Sequence, residues 1–342
     1  MHINHQTQVT DKRRRSCAST VAVISVLGVT SMLAAEAVAQ PFPGKRPIRL
    51  VVGYSAGTAP DILARRIAEQ MTEQLQVSVS VENSPGAGGR LAADVLKRAP
   101  ADGHTLSVTV FGPYALLPFI EESNKIEQPN DFTPVSMLGR FDAVMAVAAN
   151  SPWKSAKEMT AAMKASPGRY AVATPAVATV VNLAAERFRL THGLDVEIAP
   201  YPKSALAMVD LTSGRLALAF STVSIVRPFH DKGDAKVLAV TGPNRAAAFP
   251  DAPTLTELGL ASSPTASWYG FFAPPGTPDA IVSRLNEVIA PLKNDATLRK
   301  TLELQGVEPV FSSPDVLAKA WEEDSTMWAE LINTMKAEQA KK

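Results

Sequence analysis

The chain has 342 residues, with 34 Lys and Arg against 33 Asp and Glu and a formal net charge of +1. That balance excludes the strongly basic surface of a nucleic-acid binder and the polybasic character of a membrane-surface protein. The single cysteine, Cys17, excludes an intrachain disulfide, so export to an oxidising compartment is compatible with folding but not required by it.

The first segment reads as a targeting signal. Lys12-Arg13-Arg14-Arg15 is a basic start, the stretch from Val21 to Leu33 is a short apolar core, and Ala37-Val38-Ala39 is an A-x-A cleavage site before Gln40. The apolar core is shorter than the ~20 residues a spanning helix needs, so residues 1–39 are expected to be removed during export. Those residues carry a net +2, leaving about −1 for the mature chain. About 300 residues then remain, enough for two lobes of ordinary domain size.

From there strands and helices alternate, the pattern of an α/β protein with mainly parallel sheets. A strand over 48–52 runs into Gly53-Tyr54-Ser55-Ala56-Gly57-Thr58-Ala59-Pro60-Asp61. A helix over 61–75 follows, with Leu63, Ile67, Met71 and Leu75 recurring at i+4. Val77, Val79 and Val81 alternate as a half-buried strand and lead into Ser84-Pro85-Gly86-Ala87-Gly88-Gly89 before a helix over 91–97. Small residues at two such strand ends let a ligand approach the backbone, and free N–H groups at a helix start attract negative charge. Two of them, after the first two strands, point to a cleft that grips an anion through main-chain donors.

A strand over 105–110 follows, and a helix begins at the capping box Ser155-Ala156-Lys157-Glu158. The second half alternates strand 170–173, helix 180–190, strand 196–198, helix 204–211 and strands 216–220 and 237–241. A strand over 268–273 stops at Pro274-Pro275-Gly276, and Thr277-Pro278 supplies an N-cap and a first-position proline for the next helix. A helix over 295–305 closes on Gly306. Ser313-Pro314 opens a terminal helix whose Trp321 and Trp328 are expected in the core. An apolar run over 141–150 marks the lobe boundary.

Catalytic signatures do not emerge. There is no G-x-S-x-G, H-E-x-x-H, Walker A or C-x-x-C motif. After the signal only His104, His192 and His230 remain, without ligand spacing. No enzyme activity, metal or cofactor is expected.

The ordered segments resemble the substrate-binding proteins of tripartite tricarboxylate transporters, the Bug family. They are the run from Pro47 through Asp61-Ile62-Leu63-Ala64-Arg65, then Val81-Glu82-Asn83-Ser84-Pro85-Gly86-Ala87-Gly88-Gly89, Ala101-Asp102-Gly103-His104 and Asp131-Phe132-Thr133-Pro134. Pro200-Tyr201, Phe249-Pro250-Asp251-Ala252-Pro253-Thr254 and Trp268-Tyr269-Gly270-Phe271-Phe272-Ala273-Pro274 follow. The resemblance implies an α/β, two-lobed periplasmic binding protein of the type II, venus-flytrap kind, with a hinge between two mixed, mainly parallel sheets. Lobe 1 is expected over 40–142, lobe 2 over 143–264, and a return to lobe 1 with the C-terminal helices over 265–342. The implied role is capture of a small carboxylate by a monomer and its delivery to the membrane permease subunits of a tripartite transporter. The alternative is a periplasmic sensor that presents its bound state to a membrane sensor kinase. No nucleic acid is expected as partner.

The expected ligand residues are Tyr54, Ser55, Ala56, Gly57 and Thr58 with Gly86, Ala87, Gly88 and Gly89 in the first lobe. Thr174, Ala176, Thr179, Ser204 and Thr222 are expected in the second. Tyr54, Phe111 and Tyr114 read equally as pocket wall or as strand-end packing. The chain departs from the family pattern at Thr58, Ala59 and Pro60, where two glycines and a polar residue are usual. Asn182, Ala217, Ser221 and Thr222 stand where charged or basic groups are often found. Such a pocket disfavours a second buried charge. The expected ligand is therefore a monocarboxylate with an uncharged or aromatic tail rather than an amino acid or citrate, with Val177, Val180 and Val181 as an apolar wall if they face inward.

Overall fold

A computed structural model describes residues 42–85, 89–110, 131–175, 177, 179–201 and 203–339. The targeting segment with Gln40, and Gly86, Ala87, Gly88, Phe111, Tyr114 and Ala176, lie outside the described residues, as does the side chain of Ser204.

The first sheet grows from β1 (Ile48–Val52), whose Leu50, Val51 and Val52 are fully buried. It lies between two parallel neighbours, β2 (Val79–Asn83) and β3 (Thr105–Val110). Helix α1 (Ala59–Leu75) crosses between β1 and β2 and buries Leu63, Ile67 and Met71 completely. Each such side chain contributes about 1.5–3 kcal/mol, so the expected i+4 stripe anchors the helix firmly. The helix starts two residues earlier than the apolar stripe indicates, because Pro60 fits the first turn, where its missing N–H has no helical partner to lose. Helix α2 (Arg90–Lys97) follows β2.

The strand β4 (Thr133–Ala148) joins the two parts of the molecule. Its first part, Thr133 to Asp142, pairs antiparallel with β9 (Ala266–Ala273), and Gly139 to Phe141 also pair with β10 (Val307–Pro309). From Ala143 onward it pairs instead with β7 (Leu218–Thr222) and β8 (Ala235–Val240). The parallel pairs of β5 (Ala171–Thr174) with β6 (Glu197–Pro200) and β7 complete the second sheet. The order is β2-β1-β3-β9-β4-β7-β5-β6, with β8 and β10 attached to β4. Parallel pairing thus holds in the outer βαβ units, and the pairs around β4 and β9 are antiparallel.

The chain returns from the second sheet to the first between Thr265 and Ala266, and Thr241 clasps both crossings. Its hydroxyl accepts from the Ala143 N–H at 3.0 Å and donates to the Thr265 carbonyl at 2.7 Å. Its own N–H reaches the Ala143 carbonyl, and its carbonyl accepts from the Thr265 N–H.

Helices α3 (Ala156–Ala165), α4 (Val180–His192), α5 (Ser204–Thr212) and α6 (Val223–Asp231) belong to the second βα series. Ser155 caps α3 by accepting from the Glu158 N–H, as its capping-box spacing predicts. Helix α7 (Asp279–Ile289) differs from expectation at its start: Pro278 is the N-cap, and the Thr277 hydroxyl donates to the Pro274 carbonyl at 2.7 Å. Helix α8 (Ala296–Leu304) is capped by Asp295 and ends before Gly306 at φ 74°. The terminal helix α9 (Pro314–Gln339) buries Leu317, Trp321 and Trp328 in a cluster with Ala93 and Leu96 of α2 and Val180 and Leu183 of α4. Val180 and Val181 are therefore core residues, in two different clusters, while Val177 stands 61% exposed. The first turn of α4 thus directs Val180 and Val181 into protein core and not toward open space where a ligand could lie.

Candidate functional site

The register sets Val52 of β1 beside Asn83 of β2, so the two loops leave the same sheet edge next to each other. At their bases the main chains touch. A Cβ added to Gly53 would lie 2.6 Å from Gly89 Cα, so only glycine fits there. Gly89 itself has φ 102°, a left-handed conformation that suits a residue without a side chain. Ser84, at the start of the second loop, donates its N–H to the Val52 carbonyl at 2.8 Å.

Both helices that leave this edge lack a side-chain cap. Gly89 has no side chain to offer α2. Thr58, the N-cap of α1, turns its hydroxyl to the Ser55 carbonyl at 2.7 Å instead. Two helices without a side-chain cap thus follow neighbouring parallel strands, and the N-terminus of each carries partial positive charge. Ser55, Ala56 and Gly57 are exposed beside them, and Tyr54 and Thr58 are half-buried. Tyr54 also packs against the core of the first sheet.

Not every donor of the loop is open to a ligand. The Gly57 N–H donates to Asp61 Oδ2 at 2.8 Å, so what Gly57 offers is its φ of 81° and the empty space beside its Cα. Asp61 is buried. Burial opposes its charge, but bonds from Arg65, Gly57 and Asn83 outweigh that penalty and hold its carboxyl below the usual range. Asp61, Arg65 and Asn83 carry no ligand role in the sequence reading. The signal available there is an acid in the first helical turn followed at i+4 by an arginine; the partnership with Asn83 depends on strand pairing.

On the second sheet, Thr174 ends β5 and is 1% exposed, with its hydroxyl accepting from Asn182 Nδ2 at 2.9 Å and donating to the Pro175 carbonyl at 3.0 Å. Thr179 caps α4 by accepting from the Asn182 N–H at 3.1 Å. Thr222 ends β7 and leaves α6 without a side-chain cap, its hydroxyl 3.1 Å from Ser224 Oγ. Ser204 is the first residue of α5. The structure thus sets Gly53, at the base of the Tyr54-to-Thr58 loop, against Gly89, and joins Thr174 to Thr179 through Asn182. His104 and His192 bond to the backbone carbonyls of Pro47 and Leu260, and His230 stacks edge-on against Phe249. Among the described residues no helix is long and apolar enough to cross a membrane.

Comparison with known proteins gives a consistent result. The profile of the tripartite tricarboxylate transporter family receptor matches residues 63–336. Protein BugT of Bordetella pertussis is 30% identical over 91% of this chain and 96% of its own. A solved structure described as a periplasmic transporter is 29% identical, with a TM-score of 0.73, over 86% of this chain and 98% of that one. A Rhodopseudomonas palustris protein in complex with adipate is 28% identical, with a TM-score of 0.72, over 86% of this chain and 98% of that one. The two-lobed fold of periplasmic solute-binding proteins is shared with these structures.

Proposed function

This chain belongs to the tripartite tricarboxylate transporter receptor family, and we propose that it captures a small carboxylate between two lobes in the periplasm and delivers it to the membrane subunits of a tripartite transporter. The observation that carries the reading is the contact of Gly53 with Gly89, which sets two uncapped helix N-termini on one sheet edge. A carboxylate placed there accepts several charge-assisted hydrogen bonds, each contributing roughly 1.5–3 kcal/mol. The neighbour with adipate supports a carboxylate as the ligand class.

The proposed lobes are 40–142 with 265–342, and 143–264, closing about the crossings that Thr241 clasps. The residues proposed to lie about the ligand are Ser55, Ala56 and Thr58 with the Gly86-to-Gly89 loop, and from the other lobe Thr174, Ala176, Thr179, Ser204 and Thr222. Thr174, Asn182, Ser221, Thr222 and Ser224 are not ionisable, so the tail is proposed to be neutral or apolar. Export rests on the basic, apolar, A-x-A order ending at Ala39. Intact mass of the exported protein is expected to start at Gln40, and full-length chain in the membrane fraction would refute this.

A thermal-shift panel of benzoate, adipate, citrate and aspartate tests the ligand class, because a bound ligand raises apparent stability by RT ln(1 + [L]/Kd). Benzoate is expected to stabilise most, because adipate and citrate bring further carboxylates and aspartate a further carboxylate and an ammonium. Stabilisation by adipate, aspartate or citrate with none by benzoate would overturn the neutral-tail assignment of the second lobe. No shift with any of them, and none with a wider set of carboxylates, would overturn carboxylate capture itself.

A further inference from the structure

The buried carboxylate of Asp61 is bonded on both oxygens by the protein. Oδ2 accepts from the Gly57 N–H at 2.8 Å and from Arg65 Nε at 3.0 Å, and Oδ1 accepts from Asn83 Nδ2 at 2.9 Å. The same Asn83 amide group donates to the Tyr54 carbonyl at 2.9 Å, while its own oxygen accepts from Arg65 NH2 at 3.1 Å. Three side chains, two from α1 and one from the end of β2, therefore close a hydrogen-bonded ring beneath the first loop. Asn83 is followed directly by Ser84, which is bonded to Val52, and Gly53 rests on Gly89. The ring and the glycine contact tie both loops to one another at their bases.

A loop of small residues left to itself samples many conformations, and ordering it on binding lowers affinity. A carboxylate under an anion site would also repel the ligand. Here the guanidinium of Arg65, bonded to Asp61 and half-exposed, balances that charge, so the cluster can hold the loop without opposing an anion above it. A buried, fully bonded acid of this kind has a positional role and is not itself a ligand contact.

We infer that Asp61, Arg65 and Asn83 are positioning residues that lock the loop after β1 to Ser84 and Gly89, the described ends of the segment after β2, so that loosening one side loosens the other. The link to ligand affinity rests on the carboxylate reading above, whereas the coupling of the loops does not.

Hydrogen exchange on the ligand-free protein tests the coupling directly. Asp61→Asn must set its NH2 against the Gly57 and Arg65 donors or against the Asn83 donor, breaking the ring at one side. It is expected to accelerate exchange at least tenfold in peptides spanning 53–60 and in peptides containing Ser84 or Gly89, with β3 unchanged. Asn83→Ser, at a half-exposed strand end, is expected to do the same if Asp61→Asn does not fold. Acceleration confined to 53–60, or absent from both loops, would overturn the inference. In a second arm, adipate and benzoate are titrated against the wild type and both variants. A Kd weakened at least tenfold, with the ligand-free Tm lowered by no more than a few degrees, supports it; equal Kd values overturn it. Failure of the wild type to bind either compound counts against the carboxylate reading, and the exchange arm then decides the inference alone.

Discussion

The carboxylate of Asp142, the last residue that β4 pairs with β9, packs against the backbone of Gly242, which follows the Thr241 clasp. A Cβ on residue 242 would fall on that carboxylate. Gly242→Ala is therefore expected to destabilise the protein by about 1–3 kcal/mol, the range for overpacking a tight site. Asp142→Ala should relieve most of this, so the double variant should resemble Asp142→Ala alone. Urea denaturation of the cycle decides the matter, and additive losses would mean that the contact does not set the cost.

The same carboxylate predicts a pH dependence. Burial pushes Asp142 up to about 7, with Glu308 adding to the rise and Arg140 opposing it. Burial likewise pushes Asp324 up to about 6, with Glu323 adding, against the opposing hydrogen bond from Trp268. Between the ordinary carboxyl value and these, the native state holds protons that the unfolded chain releases. Their contribution to stability is therefore present at about pH 4 and lost as pH rises through 6 to 7. Asp142→Asn should flatten that decline and gain on the wild type at pH 8. Parallel stability curves for the two proteins across pH 5–8 would rule the idea out.

Two glycines of the first loop should behave differently. Gly53→Ala drives a Cβ to 2.6 Å from Gly89 Cα and 3.0 Å from its carbonyl oxygen, so backbone must move in both loops. A stability loss of about 1–3 kcal/mol is expected, together with weaker binding of whichever carboxylate the thermal-shift panel identifies. Gly57→Ala meets no atom and strains only a φ of 81°, a cost of about 1–2 kcal/mol. Crystal structures of the two variants should show displaced loops for Gly53→Ala alone.

Thr241 is buried and serves both chain crossings through one hydroxyl. Thr241→Val keeps the shape but leaves the Ala143 N–H and the Thr265 carbonyl each short of a bond, at about 1–3 kcal/mol apiece. Thr241→Ser should retain most of the stability. If valine is tolerated as well as serine in chemical denaturation, the clasp does not depend on the hydroxyl.

Local pattern carried the reading of single elements a long way. The i+4 stripe of α1, the capping box of α3, Gly306 after α8 and the buried tryptophans of α9 each depend on residues within a few turns of one another. Small residues after β1 and β2 marked loops whose backbone a ligand could approach; that Gly53 and Gly89 approach each other there is a finding of the structure.

What periodicity could not express is partnership across the chain. One strand, β4, serves two sheets because its neighbours change between Asp142 and Ala143; its sequence is continuously apolar only over 143–148 and does not name its partners. Asn83 meets Asp61 through the parallel register of β1 with β2, and Thr241 meets Ala143 from 98 residues away. The sequence by itself determined many of the strands and helices and where the chain turns on small residues, because those choices follow from local sterics and the burial of one face, but not α6, β10 or the first part of β4. Only the tertiary structure decided which donors around the first loop serve the protein itself, since a hydrogen bond between distant segments exists only once the sheet has brought them within 3 Å of each other.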